Sequence, residues 1–170
     1  MKNYVLIFDD CCFYEIVILC YFLKYTKQEV VFCSMDGKKI TCMEGFTVDA
    51  EIPLHEVEAE DIKAFIIPGG LVDHVRSKGL LSLLQELKEK NTLIAAICAG
   101  VDLLEEAGVL KGIRSTHSDD VDCISDRNVI TARANAYVDF AIEFAKEQEL
   151  FEDENDMKET IEFWKYHKRM

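Results

Sequence analysis

Cys98 is the residue best placed to do chemistry. It ends the apolar run Leu93-Ile94-Ala95-Ala96-Ile97 and leads through Ala99-Gly100 into a helix-like segment. A strand that delivers one nucleophile straight into a helix has the shape of a nucleophile elbow, a turn that tolerates only small neighbours. Ala96 and Gly100, two residues to either side, meet that demand. A thiol at this point faces the unpaired N–H groups of the helix start, which favour thiolate over thiol. Most free cysteines are small buried hydrophobes. Cys20, Cys33 and Cys42 read that way, whereas the elbow predicts a reactive Cys98.

Glu15 is the one charged residue between Cys11 and Leu23. A carboxyl among apolar groups has its pKa raised and can stand as a neutral hydrogen-bond donor; pointed at a thiolate, it would hold it in place. His117 follows Arg114-Ser115-Thr116, a strand-like piece after the elbow helix. It reads equally as a proton shuttle or as a surface-loop histidine. His55, His74 and His167 read as surface. Cys11-Cys12 lack the spacing of a Cys-x-x-Cys redox pair and read first as packing, second as accessory thiols. No Cys/His pair has zinc-ligand spacing, and Asp119, Asp120 and Asp122 lack the glycine and terminal glutamate of a calcium loop, so no metal is expected. Gly69-Gly70 lacks nucleotide-loop spacing, so no dinucleotide cofactor is expected either.

These residues need a scaffold that brings distant segments to one edge. Val5–Phe8, Val30–Cys33, Ala64–Ile67, Leu93–Ile97 and Val129–Thr131 are short apolar runs of the kind buried in a parallel sheet. Between them Phe13–Tyr25 predicts a helix apolar on most of its circumference and covered on both sides. Leu80–Lys90 predicts an amphipathic helix with Leu80, Leu83, Leu84 and Leu87 as its stripe. Ala99–Ala107 and Tyr137–Gln148 predict two more. Ile40–Cys42 and Thr47–Val48 predict a hairpin insertion, and Pro68-Gly69-Gly70 breaks a strand. Strands alternating with helices imply an α/β sandwich with a mostly parallel sheet. In such folds ligands bind beyond the carboxyl ends of the strands, where the loop after strand one, Gly69-Gly70 and Cys98 all fall. Residues 1–150 read as one domain. Residues 151–170 read as an acidic loop and a C-terminal helix that docks Met157, Ile161 and Trp164 on it.

The 170 residues suit a single core. Hydrophobic content of 49% with only 2 prolines describes a globular chain. A net charge of −13 argues against nucleic acid or an anionic membrane as partner. The odd count of 7 cysteines and an N-terminus without signal-peptide architecture suggest free thiols in the cytoplasm. The apolar run Cys11–Leu23 is too short to span a bilayer.

Assembled, the chain resembles the ThiJ/PfpI superfamily, relatives of the class I glutamine amidotransferase-like proteins. The resemblance rests on Phe8-Asp9 followed by Glu15, Phe65-Ile66-Ile67-Pro68-Gly69-Gly70, Ala95-Ala96-Ile97-Cys98-Ala99-Gly100, Ala107-Gly108-Val109-Leu110-Lys111-Gly112, Ser115-Thr116-His117 and Asn128-Val129-Ile130-Thr131-Ala132-Arg133. It implies a flavodoxin-like fold, often a homodimer, with Cys98 as nucleophile and Glu15 as its protonated partner. It further implies an oxyanion site from the N–H groups of Gly70 and Ala99, and aligns His117 with the histidine of the deglycase branch. The histidine that follows the cysteine in the protease-like branch is Ala99 here, so peptidase activity is not expected. Val101 stands where a proline is common, Arg133-Ala134-Asn135 where Arg-Gly-Pro is frequent, and Asp10-Cys11-Cys12 where the turn usually contains glycine. The implied function is a cofactor-free glyoxalase or deglycase acting on small reactive carbonyls or their adducts. Rival readings are a redox-sensing stress protein that works through Cys98 oxidation, and a small amidase or hydratase.

Overall fold

A computed structural model describes residues 1–169. Its centre is a seven-stranded sheet formed by β1 (Lys2–Leu6), β2 (Val30–Ser34), β5 (Ile52–Pro53), β6 (Ile62–Ile67), β7 (Leu93–Ile97), β8 (Cys123–Asp126) and β9 (Val129–Ala132). The strand order is β5-β2-β1-β6-β7-β9-β8, parallel throughout except for β8, which runs antiparallel to β9 at one edge. The middle strands β1, β6 and β7 are almost wholly buried, as continuous apolar runs covered on both faces must be. A separate two-stranded hairpin, β3 (Ile40–Thr41) with β4 (Thr47–Val48), leaves the sheet after β2.

The helices are α1 (Val17–Tyr25), α2 (Lys78–Glu89), α3 (Gly100–Glu106), α4 (Tyr137–Glu147) and α5 (Glu154–Trp164). Helix α1 packs with α4, and α2 with α3, which gives the sheet a helical layer on each side. Leu80, Leu84 and Leu87 are fully buried, as the stripe of α2 predicts. Asp153 caps α5 by accepting from Asp156 N–H at 2.8 Å. Trp164 then packs its ring 5.6 Å from that of Tyr21 and 5.8 Å from that of Phe22 on α1. The three-layer, mostly parallel architecture is the one expected.

Three local expectations fail, and one strand goes unforeseen. The run Phe13–Tyr25 is not one helix: a 3₁₀ turn, Phe13–Glu15, precedes α1, with Ile16 between the two. Nor is α1 covered on both sides, because Val17, Tyr21 and Tyr25 form an outer stripe that is 46%, 50% and 76% exposed. Arg114-Ser115-Thr116 is a loop and not a strand, since its N–H groups donate to side chains. Arg114 donates to Asp126 Oδ2 at 2.8 Å, Ser115 to Ser118 Oγ at 2.9 Å and Thr116 to Thr131 Oγ1 at 3.0 Å. Strand β8 has no counterpart in the sequence reading. Arg127 and Asn128 turn it into β9 with φ of 49° and 60°, the two positive values of a type I′ hairpin, from residues that do not announce such a turn.

Candidate active site

Cys98 sits between β7 and α3 with φ at 56°, a conformation that costs a non-glycine residue energy and clusters at functional turns. Its own N–H donates to Ala132 O at 2.9 Å, and its carbonyl accepts from Val101 N–H at 3.1 Å. The turn is held from both ends. Gly100 is required because a Cβ there would lie 2.7 Å from Ile67 O and 2.8 Å from Pro68 O. The same crowding applies at Gly69, where a Cβ would meet Cys98 Cβ at 2.6 Å, Glu15 Oε2 at 2.8 Å and Cys98 Sγ at 2.9 Å. The strand-ending glycines therefore let the backbone of β6 lie directly against the thiol.

Glu15 reaches this point from the 3₁₀ turn after β1. It is 1% exposed, accepts from Gly69 N–H at 2.6 Å and meets the Cys98 sulfur at Gly69, where a single added Cβ would touch both. Tyr14 Oη lies at a long 3.4 Å from its other oxygen. The loop that carries Glu15 is stitched to the glycine pair: Cys12 N–H donates to Gly69 O at 3.0 Å and Leu71 N–H to Asp10 O at 3.1 Å. That antiparallel bridge leaves Gly70 N–H without an acceptor among the described residues. Ala99, next along the turn, has its N–H among the groups that favour the Cys98 thiolate. The arrangement thus offers two backbone donors near a thiol and a buried carboxyl.

Burial raises the Glu15 pKa, although its bonds from Gly69, Cys98 and Tyr14 pull the other way, and the charge of Glu44 adds to the rise. The Cys98 thiol is also raised, first by burial and then by the neighbouring Glu15 charge, with Asp102 contributing. This corrects the expectation of a thiol lowered by the helix start. Helix α3 has only 7 residues, and the single N–H of Ala99 does not outweigh desolvation and an adjacent carboxylate. The two groups titrate as a pair. Glu15 opposes the thiolate while ionised and supports it once protonated.

Of the residues singled out by sequence, Glu15, Cys98, Gly70 and Ala99 come together, and His117 stands apart. Its Nδ1 is 2.6 Å from Glu105 Oε2, and its Nε2 is 3.3 Å from Asp102 Oδ1, both on α3. Sequence reasoning put Gly69 at this edge without foreseeing that its N–H orients Glu15, and read Cys12 as packing before accessory thiol, although Cys12 is half-buried and senses the charges of both Glu15 and Cys98. Adjacency to two singled-out positions was the available signal for each. Beside the site, a hollow of about 370 Å³ over the ends of β1 and β2 is lined by Phe8, Asp9, Ser34, Met35, Asp36 and His74, among others. No group of three or more His, Cys, Asp or Glu among the described residues is arranged to hold a metal ion, and no helix among them is long and apolar enough to cross a membrane.

The profile of the DJ-1/PfpI family matches residues 1–147. A protein named as a deglycase in Thermococcus kodakarensis is 29% identical over 118 residues, covering 68% of this chain and 71% of its own length. A second protein of that name, from Pyrococcus abyssi, is 31% identical over 96 residues, 55% of this chain and 58% of its own, so the match spans less than two thirds of that relative. Among solved structures, a DJ-1 superfamily protein of Agrobacterium tumefaciens superimposes with a TM-score of 0.86 at 26% identity, covering 99% of this chain and all of that one.

Proposed function

The chain belongs to the DJ-1/PfpI family, and we propose that it is a cysteine-dependent enzyme acting, without cofactor, on a small reactive α-oxoaldehyde or its adducts. The observation that carries this reading is the meeting at Gly69 of the buried Glu15 carboxyl, oriented by Gly69 N–H at 2.6 Å, with the half-exposed Cys98 sulfur. The deglycase names of the relatives agree with it. With the Glu15 carboxyl protonated beside it, the sulfur stands as a nucleophilic thiolate. The thiolate adds to the aldehyde carbon, forming the S–C bond while the carbonyl electron pair moves to oxygen. Gly70 and Ala99 N–H groups steady that oxygen, which takes the Glu15 proton to give a hemithioacetal and leave a Glu15 carboxylate. The Glu15 carboxylate then carries the aldehyde-carbon proton to the neighbouring carbon while the hydroxyl proton passes to the ketone oxygen, and water hydrolyses the resulting thioester to a 2-hydroxy acid, returning the proton to Glu15 and the thiolate to Cys98. His117 is left out of this path because its ring is committed to Asp102 and Glu105.

The test is lactate formation from methylglyoxal by chelator-treated protein. Wild type should turn over, and Cys98→Ser should fall by about a thousandfold or more, to background. Equal rates in the two would sink the enzymatic reading. In that case stoichiometric oxidation of Cys98 at low peroxide would favour the redox-sensing alternative.

A further inference from the structure

The β3–β4 hairpin takes no part in the chemistry described so far, yet it is bound to the loop that carries Glu15. Asp10 N–H donates to Thr41 O at 2.8 Å and Met43 N–H to Cys11 O at 2.9 Å. Thr41 N–H donates to Asp9 Oδ1 at 2.8 Å. The hairpin turn then sends Glu44 across. One carboxylate oxygen of Glu44 accepts from Phe13 N–H at 3.2 Å and the other from Tyr14 N–H at 2.7 Å. These are the opening N–H groups of the 3₁₀ turn Phe13–Glu15, and Cys12, the residue at its cap position, offers no side-chain cap. Glu44 supplies the missing cap from 30 residues away. Phe46, two residues on, packs its ring edge-on to Phe13 at 5.6 Å and pins the same turn.

We propose that Glu44 is a positioning residue for the site: its carboxylate fixes the turn that presents Glu15 and sets a negative charge beside it. The charge has a chemical consequence. Burial opposes ionisation of Glu44, but the N–H groups of Tyr14, Glu44 itself and Phe13, with the Cys42 thiol, together hold its carboxyl below the usual range. It is a carboxylate wherever the site works. A fixed negative charge next to Glu15 favours the proton on Glu15, and a protonated Glu15 is the form that supports a Cys98 thiolate. The groups facing Glu15 are Tyr14 and Cys12 on its own turn, Cys98 at the elbow with Asp102 behind it, and Glu44. Among these only Glu44 joins the turn backbone to a charge.

This proposal rests on the proton-sharing reading of Glu15 and Cys98, and the experiment separates the two. The readout is the pH midpoint of Cys98 alkylation by iodoacetamide in the full chain, followed by peptide mass mapping. Glu44→Gln keeps the side-chain shape and removes the charge. Acting through Glu15, it should raise the midpoint by about half a pH unit and slow alkylation at neutral pH about threefold. Simple removal of a nearby negative charge would lower the midpoint instead, so the sign decides. In a Glu15→Gln background, where no proton can leave, Glu44→Gln should cause no shift. Glu44→Asp, one methylene shorter, should move the midpoint in the same direction by less, and it decides the matter alone if Glu44→Gln does not fold. A lowered or unchanged midpoint in either single variant, or an equal shift in the Glu15→Gln background, overturns the proposal. A midpoint left unmoved by Glu15→Leu overturns the underlying reading of Glu15 instead.

Discussion

At the residue scale, reactivity follows from how strongly each thiol is opposed by its surroundings. Burial pushes Cys11, Cys20, Cys33 and Cys123 up to about 12 and Cys12 to about 11. Cys42 is also raised, and it is buried with its sulfur 3.0 Å from Phe46 O. Cys98 is raised too, but it is half-exposed and the Ala99 N–H pulls against the rise. Limiting iodoacetamide at neutral pH should therefore label Cys98 first, and preferential labelling of Cys12 or Cys42 would move the site. Glu15 sets a second expectation, in which the sign is decisive. With Glu15 neutral, Glu15→Leu removes a donor and should raise the midpoint of thiolate absorbance near 240 nm. With Glu15 ionised, the same change removes a repelling charge and should lower it. The proposed mechanism requires the rise. Cys98 and Glu15 were legible in the sequence because one lies in an elbow and the other is a lone charge in an apolar run. The direction of the thiol shift was not, since it depends on desolvation by segments far away in the chain.

At the scale of elements, glycine positions separate architecture from site. Gly69→Ala would force a Cβ to within 2.6 Å of Cys98 Cβ and 2.8 Å of Glu15 Oε2. We expect it to slow Cys98 alkylation at least tenfold and to cost about 1–3 kcal/mol in urea unfolding. Gly79, in the first turn of α2, has nothing within 4 Å of the same atom. Gly79→Ala should stabilise by about 0.5–1 kcal/mol and leave Cys98 untouched. A Gly69→Ala protein with normal alkylation would show that the backbone approach of β6 is incidental to the site. The strands were readable because buried parallel strands are continuous apolar runs. The β8–β9 turn was not, because Arg127-Asn128 stands where Asn-Gly or Asp-Gly would announce a type I′ turn, and the arginine takes positive φ under tertiary constraint. The 3₁₀ break at Phe13–Glu15 was hidden for a related reason: Glu44, which caps it, belongs to another element.

For the whole molecule, the outer stripe of α1 is the feature in need of explanation. Val17, Tyr21 and Tyr25 lie exposed at four-residue spacing, with Tyr14 43% exposed beside the site. Apolar surface of that extent on one helix is what a self-complementary C2 contact buries. We expect light scattering to give twice the 19.5 kDa chain mass at micromolar concentration, and Tyr21→Glu to weaken the association at least tenfold. A concentration-independent monomer in wild type would remove the dimer from this account.

The sequence by itself determined the period of each segment, hence an α/β sandwich with Cys98 beyond the carboxyl end of a central strand. It also marked Glu15 and the glycine pair, because a lone charge and two adjacent glycines stand out against apolar runs. Only the tertiary structure decided which of these groups meet. Gly69 and Glu15 are 54 residues apart, and Glu44 and Tyr14 are 30 apart. His117, near Cys98 along the chain, turns its ring instead to Asp102 and Glu105. Periodicity is a local property and survives in one dimension, whereas hydrogen-bond partners and desolvation are set by whichever distant backbone the fold brings alongside.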